Sequence, residues 1–176
     1  MQARRGVLSP RRRTYLALAA AAVAGVAVLA GTGLAAPVRI SSGSMAPTLL
    51  EGDRVLVTRA GTPGRGALVT FSSPADGVLT LKRVVAVAGD RVAIEDAALV
   101  VNGRRVAEPY VDAARIDGLY FGPVTVPAGT VFVLGDRRAG SIDSRAYGAI
   151  PAARVEGRVL VRLWPPLRPS PAQRPK

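Results

Sequence analysis

Leu99-Val100-Val101-Asn102-Gly103-Arg104-Arg105-Val106-Ala107 is the stretch that settles the fold class. Two short runs flank an Asn-Gly pair. These two residues accept positive φ more readily than others, as a two-residue hairpin turn of the right twist requires. The pattern predicts strands over Leu99–Val101 and Arg104–Ala107. Working outward, similar short apolar runs broken by Gly, Pro, Asn and Asp predict strands at Arg54–Thr58, Ala67–Ser72, Val78–Val87, Arg91–Ile94, Val131–Leu134 and Arg158–Leu163. Thr125–Gly129 reads as a strand end and a turn. Helical periodicity is weak, with a turn or two expected at Ile150–Val155. Many short strands with frequent turns predict an all-β domain of coiled antiparallel sheets, barrel-like in outline. No internal repeat is visible.

The chain has 176 residues, enough for one domain with appendages. Cysteine is absent, which excludes disulfides, a thiol nucleophile and a thiolate metal site. Histidine is absent too, so a Ser-His-Asp triad is excluded. Carboxylates are scattered, and neither a metal nor a cofactor is expected. The formal net charge of +12 suggests nucleic acid at first sight. Most of the excess, however, lies in two tails. Residues 1–13 and 158–176 are basic and free of acid, while the stretch between is close to neutral.

Thr14 to Val38 contains no charged residue. As a helix this run is about 37 Å long, more than a hydrocarbon core of about 30 Å requires. A cleavable secretory signal has a shorter apolar region, about 7–15 residues, so an uncleaved anchor is the better reading. Arginines 4, 5, 11, 12 and 13 precede it and only Arg39 follows closely. By the positive-inside rule the N-terminus is cytoplasmic and the remainder outside. The same rule accounts for the basic N-terminal tail without nucleic acid. The expected organisation is a cytoplasmic tail (1–13), one transmembrane helix (14–38), a β-rich extracytoplasmic domain (39–164) and a Pro-rich disordered tail (165–176).

Three segments carry candidate chemistry. The first is Ser41-Ser42-Gly43-Ser44-Met45-Ala46-Pro47-Thr48-Leu49, where two hydroxyls flank a glycine on an expected turn. The second holds Lys82. The chain has two lysines among its 24 Lys and Arg residues, and the other is the terminal Lys176. Arginine cannot lose its proton, but a desolvated lysine can, and it is then a competent base. A lysine on the solvent face of an edge strand is the alternative. The third is Gly135-Asp136-Arg137-Arg138-Ala139-Gly140-Ser141-Ile142-Asp143-Ser144-Arg145. Here Asp143 and Arg145 are spaced to share one side of an extended strand and to pair bidentately. Gly52-Asp53 and Gly89-Asp90 read as turn aspartates.

Ser42-Gly43-Ser44-Met45, Leu81-Lys82-Arg83-Val84-Val85 with Gly89-Asp90, and Gly135-Asp136…Ser141-Ile142-Asp143-Ser144-Arg145, in that order, resemble bacterial type I signal peptidase. The resemblance runs from the uncharged segment to about Pro151. It implies a membrane-bound serine endopeptidase that removes signal peptides from secretory preproteins at the outer face of the cytoplasmic membrane. Ser44 is then the nucleophile and Lys82 its base, a Ser-Lys variant of triad logic. The resemblance further implies an oxyanion hole from the Ser44 N–H and the Ser42 hydroxyl. It makes Ser141 the residue that orients the lysine amine, supported by Asp143 and Arg145. Ile40, Met45, Leu49 and Leu81 become candidate pocket walls, or equally plain core. The implied partners are signal peptides and the lipid bilayer, not nucleic acid. The sequence departs from the usual loop pattern G-D-N-R-D-N-S-x-D-S-R: Arg137 stands for an asparagine, Ala139 for an aspartate and Gly140 for an asparagine. Ala67 stands where an aspartate often follows Arg-Gly. The rival readings are a Ser-Lys processing peptidase with a dedicated substrate, and a non-catalytic membrane-tethered β-domain that binds envelope components.

Overall fold

The computed structural model describes residues 33–59, 61–111 and 120–165, with scattered helical positions between Arg12 and Gly31. The chain forms two units, Met1–Ala36 and Pro37–Lys176. Part of the expected span, 14–38, lies outside the described residues, as does the expected tail from 166 onward. Among the described residues no helix is long and apolar enough to cross a membrane. One end of the expected span is corrected: Ala35–Arg39 is a strand, β1. Gly33 is a poor helix former, Pro37 cannot donate to a helix ladder, and β-branched Val38 suits a strand.

The remaining strands are β2 (Arg54–Thr58), β3 (Leu68–Ser72), β4 (Leu79–Val87), β5 (Arg91–Glu95), β6 (Ala98–Val101), β7 (Arg104–Arg105), β8 (Phe121–Thr125), β9 (Thr130–Leu134), β10 (Ile150–Pro151) and β11 (Val155–Trp164). A short helix, α1, covers Ser144–Tyr147. One sheet runs β1-β2-β11-β3-β4-β9-β10 and the other β7-β6-β5-β8. The pairings from β2 to β10 in the first sheet, and all those in the second, are antiparallel. Each sheet keeps two different end strands, so the sheets are open and do not close into a barrel. The Asn102-Gly103 hairpin forms as the sequence predicts. Both residues have positive φ, 53° and 74°, and Val101 pairs with Arg104.

Three elements differ from the sequence reading. β8, of which only an end at Thr125 was expected, contains Gly122-Pro123 and is an edge strand, where proline costs no ladder bond. Ile150–Val155 is a two-residue strand followed by a 3-10 turn at Ala152–Arg154. Arg104–Ala107 is extended only over Arg104–Arg105.

Hydrophobic burial places the site. The register of β4 against β9 shifts between Val84 and Ala86. Val84 therefore joins a cluster with Val69, Phe71, Val131, Val133 and Ile150, while Val85 and Ala86 join one with Val92, Leu99 and Phe132. A third cluster gathers Ile40, Met45, Leu49, Val55, Val57 and Leu81. Each buried aliphatic side chain there is worth about 1.5–3 kcal/mol. Met45 and Leu49 therefore pin the segment 41–49 against β2 and β4.

Candidate active site

Ser44 sits in a single 3-10 turn, Gly43–Met45, which packs against β4. Met45 is fully buried next to it, so the hydroxyl's backbone is fixed from below. The Ser42 and Ser44 hydroxyl oxygens are 3.3 Å apart. A cavity of about 460 Å³ opens beside the turn, lined by Ile40, Ser42, Ser44, Met45, Leu81 and Lys82. Three of the four expected pocket residues thus face it. Leu49 does not line it and belongs to the core beneath. Val78, Leu79 and Ile142 also line the cavity and are exposed.

Lys82 lies on β4, which is flanked by β3 and β9 and is not an edge. Its side chain is 3% exposed. The edge-strand reading of this lysine is thereby excluded. Burial pushes the Lys82 pKa down; Asp143 pulls it up, Arg145 lowers it further and Asp136 raises it. Desolvation leads because burial disfavours the charged ammonium. Among the described residues no carboxylate lies within ion-pair distance of the amine.

The third segment leaves β9 at Leu134 and folds back over the turn. Gly135 makes the approach possible. A Cβ there would collide with Ser141 Oγ and lie 2.8 Å from the Ser44 carbonyl oxygen. The Arg137 N–H donates to that same Ser44 carbonyl at 3.0 Å. Ser141 therefore stands beside the nucleophile's backbone. Its hydroxyl is buried and has no hydrogen-bond partner among the described residues.

Asp143 and Arg145 pair bidentately, Nε to Oδ1 at 2.9 Å and Nη2 to Oδ2 at 3.1 Å. They do so at a helix start rather than on a strand. Asp143 caps α1 by accepting the Arg145 N–H at 3.2 Å, a short-range bond that aspartate makes readily. It also accepts the Gly135 N–H at 3.1 Å. Arg145 Nη2 donates to the carbonyls of Arg138 (2.7 Å) and Ser141 (3.3 Å). The pair thus fixes both ends of the loop that carries Ser141.

Sequence reading missed the rest of the support. Asp136 is 1% exposed. It accepts from Arg83 Nε at 2.8 Å, Arg83 Nη2 at 2.6 Å and the Thr48 hydroxyl at 2.5 Å. The Arg83 guanidinium also lies 3.8 Å over the Tyr110 ring, a cation–π contact. Arg138, 2% exposed, gives Nη2 to Glu108 at 2.6 Å and Nε to the Gly135 carbonyl at 3.0 Å. The Tyr110 hydroxyl donates to Glu108 at 3.0 Å. Position next to Lys82 was the one available signal for Arg83, and nothing local marks Glu108 or Tyr110. The turn aspartates behave as read. Asp53 accepts the Leu50 N–H, and Asp90 accepts the Val87 N–H and pairs with Arg65. Arg65 and its hydrogen bonds hold the Asp90 carboxyl down at about 2.

A buried lysine and a turn serine line one cavity, beside a buried hydroxyl and a polar supporting loop, a set of groups suited to Ser-Lys acyl transfer. The family described as signal peptidase, peptidase S26, matches residues 12–164. The chain is 35% identical over 170 residues to "Probable signal peptidase I-2" of Synechocystis, covering 89% of this chain and 77% of that protein. It is 34% identical over 162 residues to signal peptidase I T of Bacillus subtilis, covering 84% of each. A crystal structure of a signal peptidase I from Enterococcus faecalis superposes with a TM-score of 0.51 at 33% identity, over 57% of this chain and 98% of that one. The chain belongs to the signal peptidase family, peptidase S26.

Proposed function

We propose that the chain acts as a signal peptidase I, removing signal peptides from secreted preproteins, with Ser44 as nucleophile and Lys82 as general base. The observation that carries this reading is Lys82 itself: a buried amine with a lowered pKa, in the same cavity as Ser42 and Ser44. Neutral Lys82 takes the Ser44 proton as Oγ attacks the scissile carbonyl. The Ser44 N–H and the Ser42 hydroxyl stabilise the oxyanion. The ammonium then protonates the leaving amine as the peptide bond breaks. Water attacks the acyl ester with Lys82 again as base, releasing the carboxylate and restoring Ser44. The apolar walls Ile40, Met45 and Leu81 suit small side chains on the acyl side of the bond. Ser141, held beside Ser44, orients the amine, and the Asp143–Arg145 pair holds Ser141.

Signal peptidases I are membrane-associated. In this reading the uncharged residues before β1 anchor the chain with its N-terminus inside, and the site works outside at the bilayer surface. Confinement to one surface raises the effective concentration of enzyme and substrate for each other. Incubating a panel of preproteins with wild type and Ser44→Ala tests the function. Wild type trims them at the signal junction and Ser44→Ala does not; equal trimming by both, or none by wild type, overturns the reading. A serine-directed acylating probe labels Ser44 in a peptidase and nothing in a purely binding domain.

A further inference from the structure

Two neighbouring arginines of the catalytic loop end in opposite environments. Arg138 is buried and paired with Glu108. Arg137 is exposed, and among the described residues no acid pairs with it. Asp136, its nearest carboxylate in sequence, is turned inward to Arg83 and Thr48 and cannot neutralise it. Nor is Arg137 loosely placed. Its N–H is bonded to the Ser44 carbonyl. Its Nη1 lies 3.4 Å from the point a Cβ on Gly43 would occupy. A free guanidinium therefore rests against the middle residue of Ser42-Gly43-Ser44.

Gly43 and Arg137 do not line the cavity that Ser42 and Ser44 line. A leaving chain that departs from Ser44 on the Gly43 side, away from that cavity, would pass Arg137. Resting on the peptidase reading above, we propose that Arg137 is a specificity-determining residue. It favours substrates with a carboxylate side chain at the first or second residue after the scissile bond, and disfavours lysine or arginine there. Guanidinium and carboxylate match in charge and in bidentate geometry. The asparagine usual at this loop position carries no charge, so the preference belongs to this chain.

The test is kcat/KM for one preprotein made with Asp, Ala or Lys at each of these two positions, cleaved by wild type, Arg137→Gln and Arg137→Glu. In wild type, Asp exceeds Ala by about two- to fivefold at low salt, the range of an exposed ion pair, and Lys falls below Ala. High salt shrinks the spread. Arg137→Gln abolishes the ranking among the three substrates, and Arg137→Glu inverts it in favour of Lys. The inversion is a gain that a folding defect cannot produce. The proposal is overturned if wild type cleaves all three equally, or if Arg137→Gln slows all three by one factor, since that makes the cation a general electrostatic aid. Wild type that cleaves none of them overturns the peptidase reading and this one with it.

Discussion

Arg83 grips Asp136 with two guanidinium nitrogens, at 2.8 and 2.6 Å. Arg83 follows Lys82 directly, and Asp136 opens the loop that carries Ser141. Asp136 also accepts from Thr48, four residues beyond Ser44. One carboxylate therefore ties the nucleophile's segment, the base's strand and the supporting loop together.

Breaking that tie should affect both stability and catalysis. Asp136→Asn leaves the Arg83 cation, whose side chain is 11% exposed, without its counter-charge. Removing one partner of a buried pair costs about 3–5 kcal/mol. Urea melts measure that loss. At a temperature where the variant is still folded, kcat/KM should fall by about 10²-fold, the cost of a misplacement of about 1 Å. Wild-type kcat/KM in the folded variant would show that the tie does not position the site.

Gly135→Ala acts more locally. The new methyl meets the Ser44 carbonyl at 2.8 Å, and that atom is backbone, so it cannot rotate away. The turn bearing the nucleophile must shift. We expect kcat to drop by about 10²-fold with KM far less affected. Unchanged single-turnover kinetics would show that the loop has room the geometry denies.

How far the sequence revealed this site follows from how local each signal was. The Asn102-Gly103 hairpin and the strand holding Lys82 depend on short-range backbone and hydropathy patterns, and both were legible. The scarcity of lysine in an arginine-rich chain was enough to single out Lys82. The Asp143–Arg145 pair was legible as a pair but not as a helix cap, because the cap depends on the chain turning at Ser144. Glu108 lies 30 residues from Arg138 in sequence, and their pairing exists only once β6 and β9 bring those segments together. Strand β8 was hidden by its Gly-Pro pair, which an edge position tolerates. The end of the uncharged run read as membrane helix because hydropathy alone cannot separate a short uncharged strand from a span.

Ser141→Ala separates orientation from nucleophilicity. The buried hydroxyl has no partner among the described residues, so deleting it removes a desolvation cost of about 1–3 kcal/mol and no hydrogen bond. Thermal stability should be unchanged or slightly raised. Activity should fall by about 10–10²-fold, far less than for Ser44→Ala, since the nucleophile stays and what is lost is the orienting bond proposed for the reacting enzyme, which the resting structure does not contain. Equal losses for the two variants would mean that Ser141 does more than orient.

The proposed topology rests on the uncharged run and its arginine flank. Protease added to intact spheroplasts should digest the domain that follows Arg39 and spare residues 1–13. Full protection of that domain would place the site on the wrong side for exported substrates.

Lys82 gives the most demanding prediction, because its two roles pull in opposite directions. Lys82→Arg keeps the charge and much of the length but not the base, as guanidinium stays protonated at any usable pH. Loss of a general base costs about 10²–10⁴-fold, and more where base and nucleophile act as a unit. Lys82→Met removes the base as completely, yet it also removes a buried cation. The folded-state pKa lies below the usual 10.5. The unfolded chain therefore binds more protons than the folded one between those two values, and stability rises with pH across that window. The penalty that Lys82 imposes is full below its lowered pKa and fades as pH approaches 10.5. Lys82→Met should thus be more stable than wild type near neutral pH, with an advantage that shrinks in alkaline buffer, and inactive throughout. Wild-type kcat/KM should rise as pH climbs through the lowered amine pKa, since deprotonation creates the base. Denaturant melts and kcat/KM across pH, for wild type and both variants, check each limb. A folded Lys82→Arg enzyme with near wild-type activity would falsify the mechanism, and a Lys82→Met protein less stable than wild type at neutral pH would show that the amine is not held at a cost.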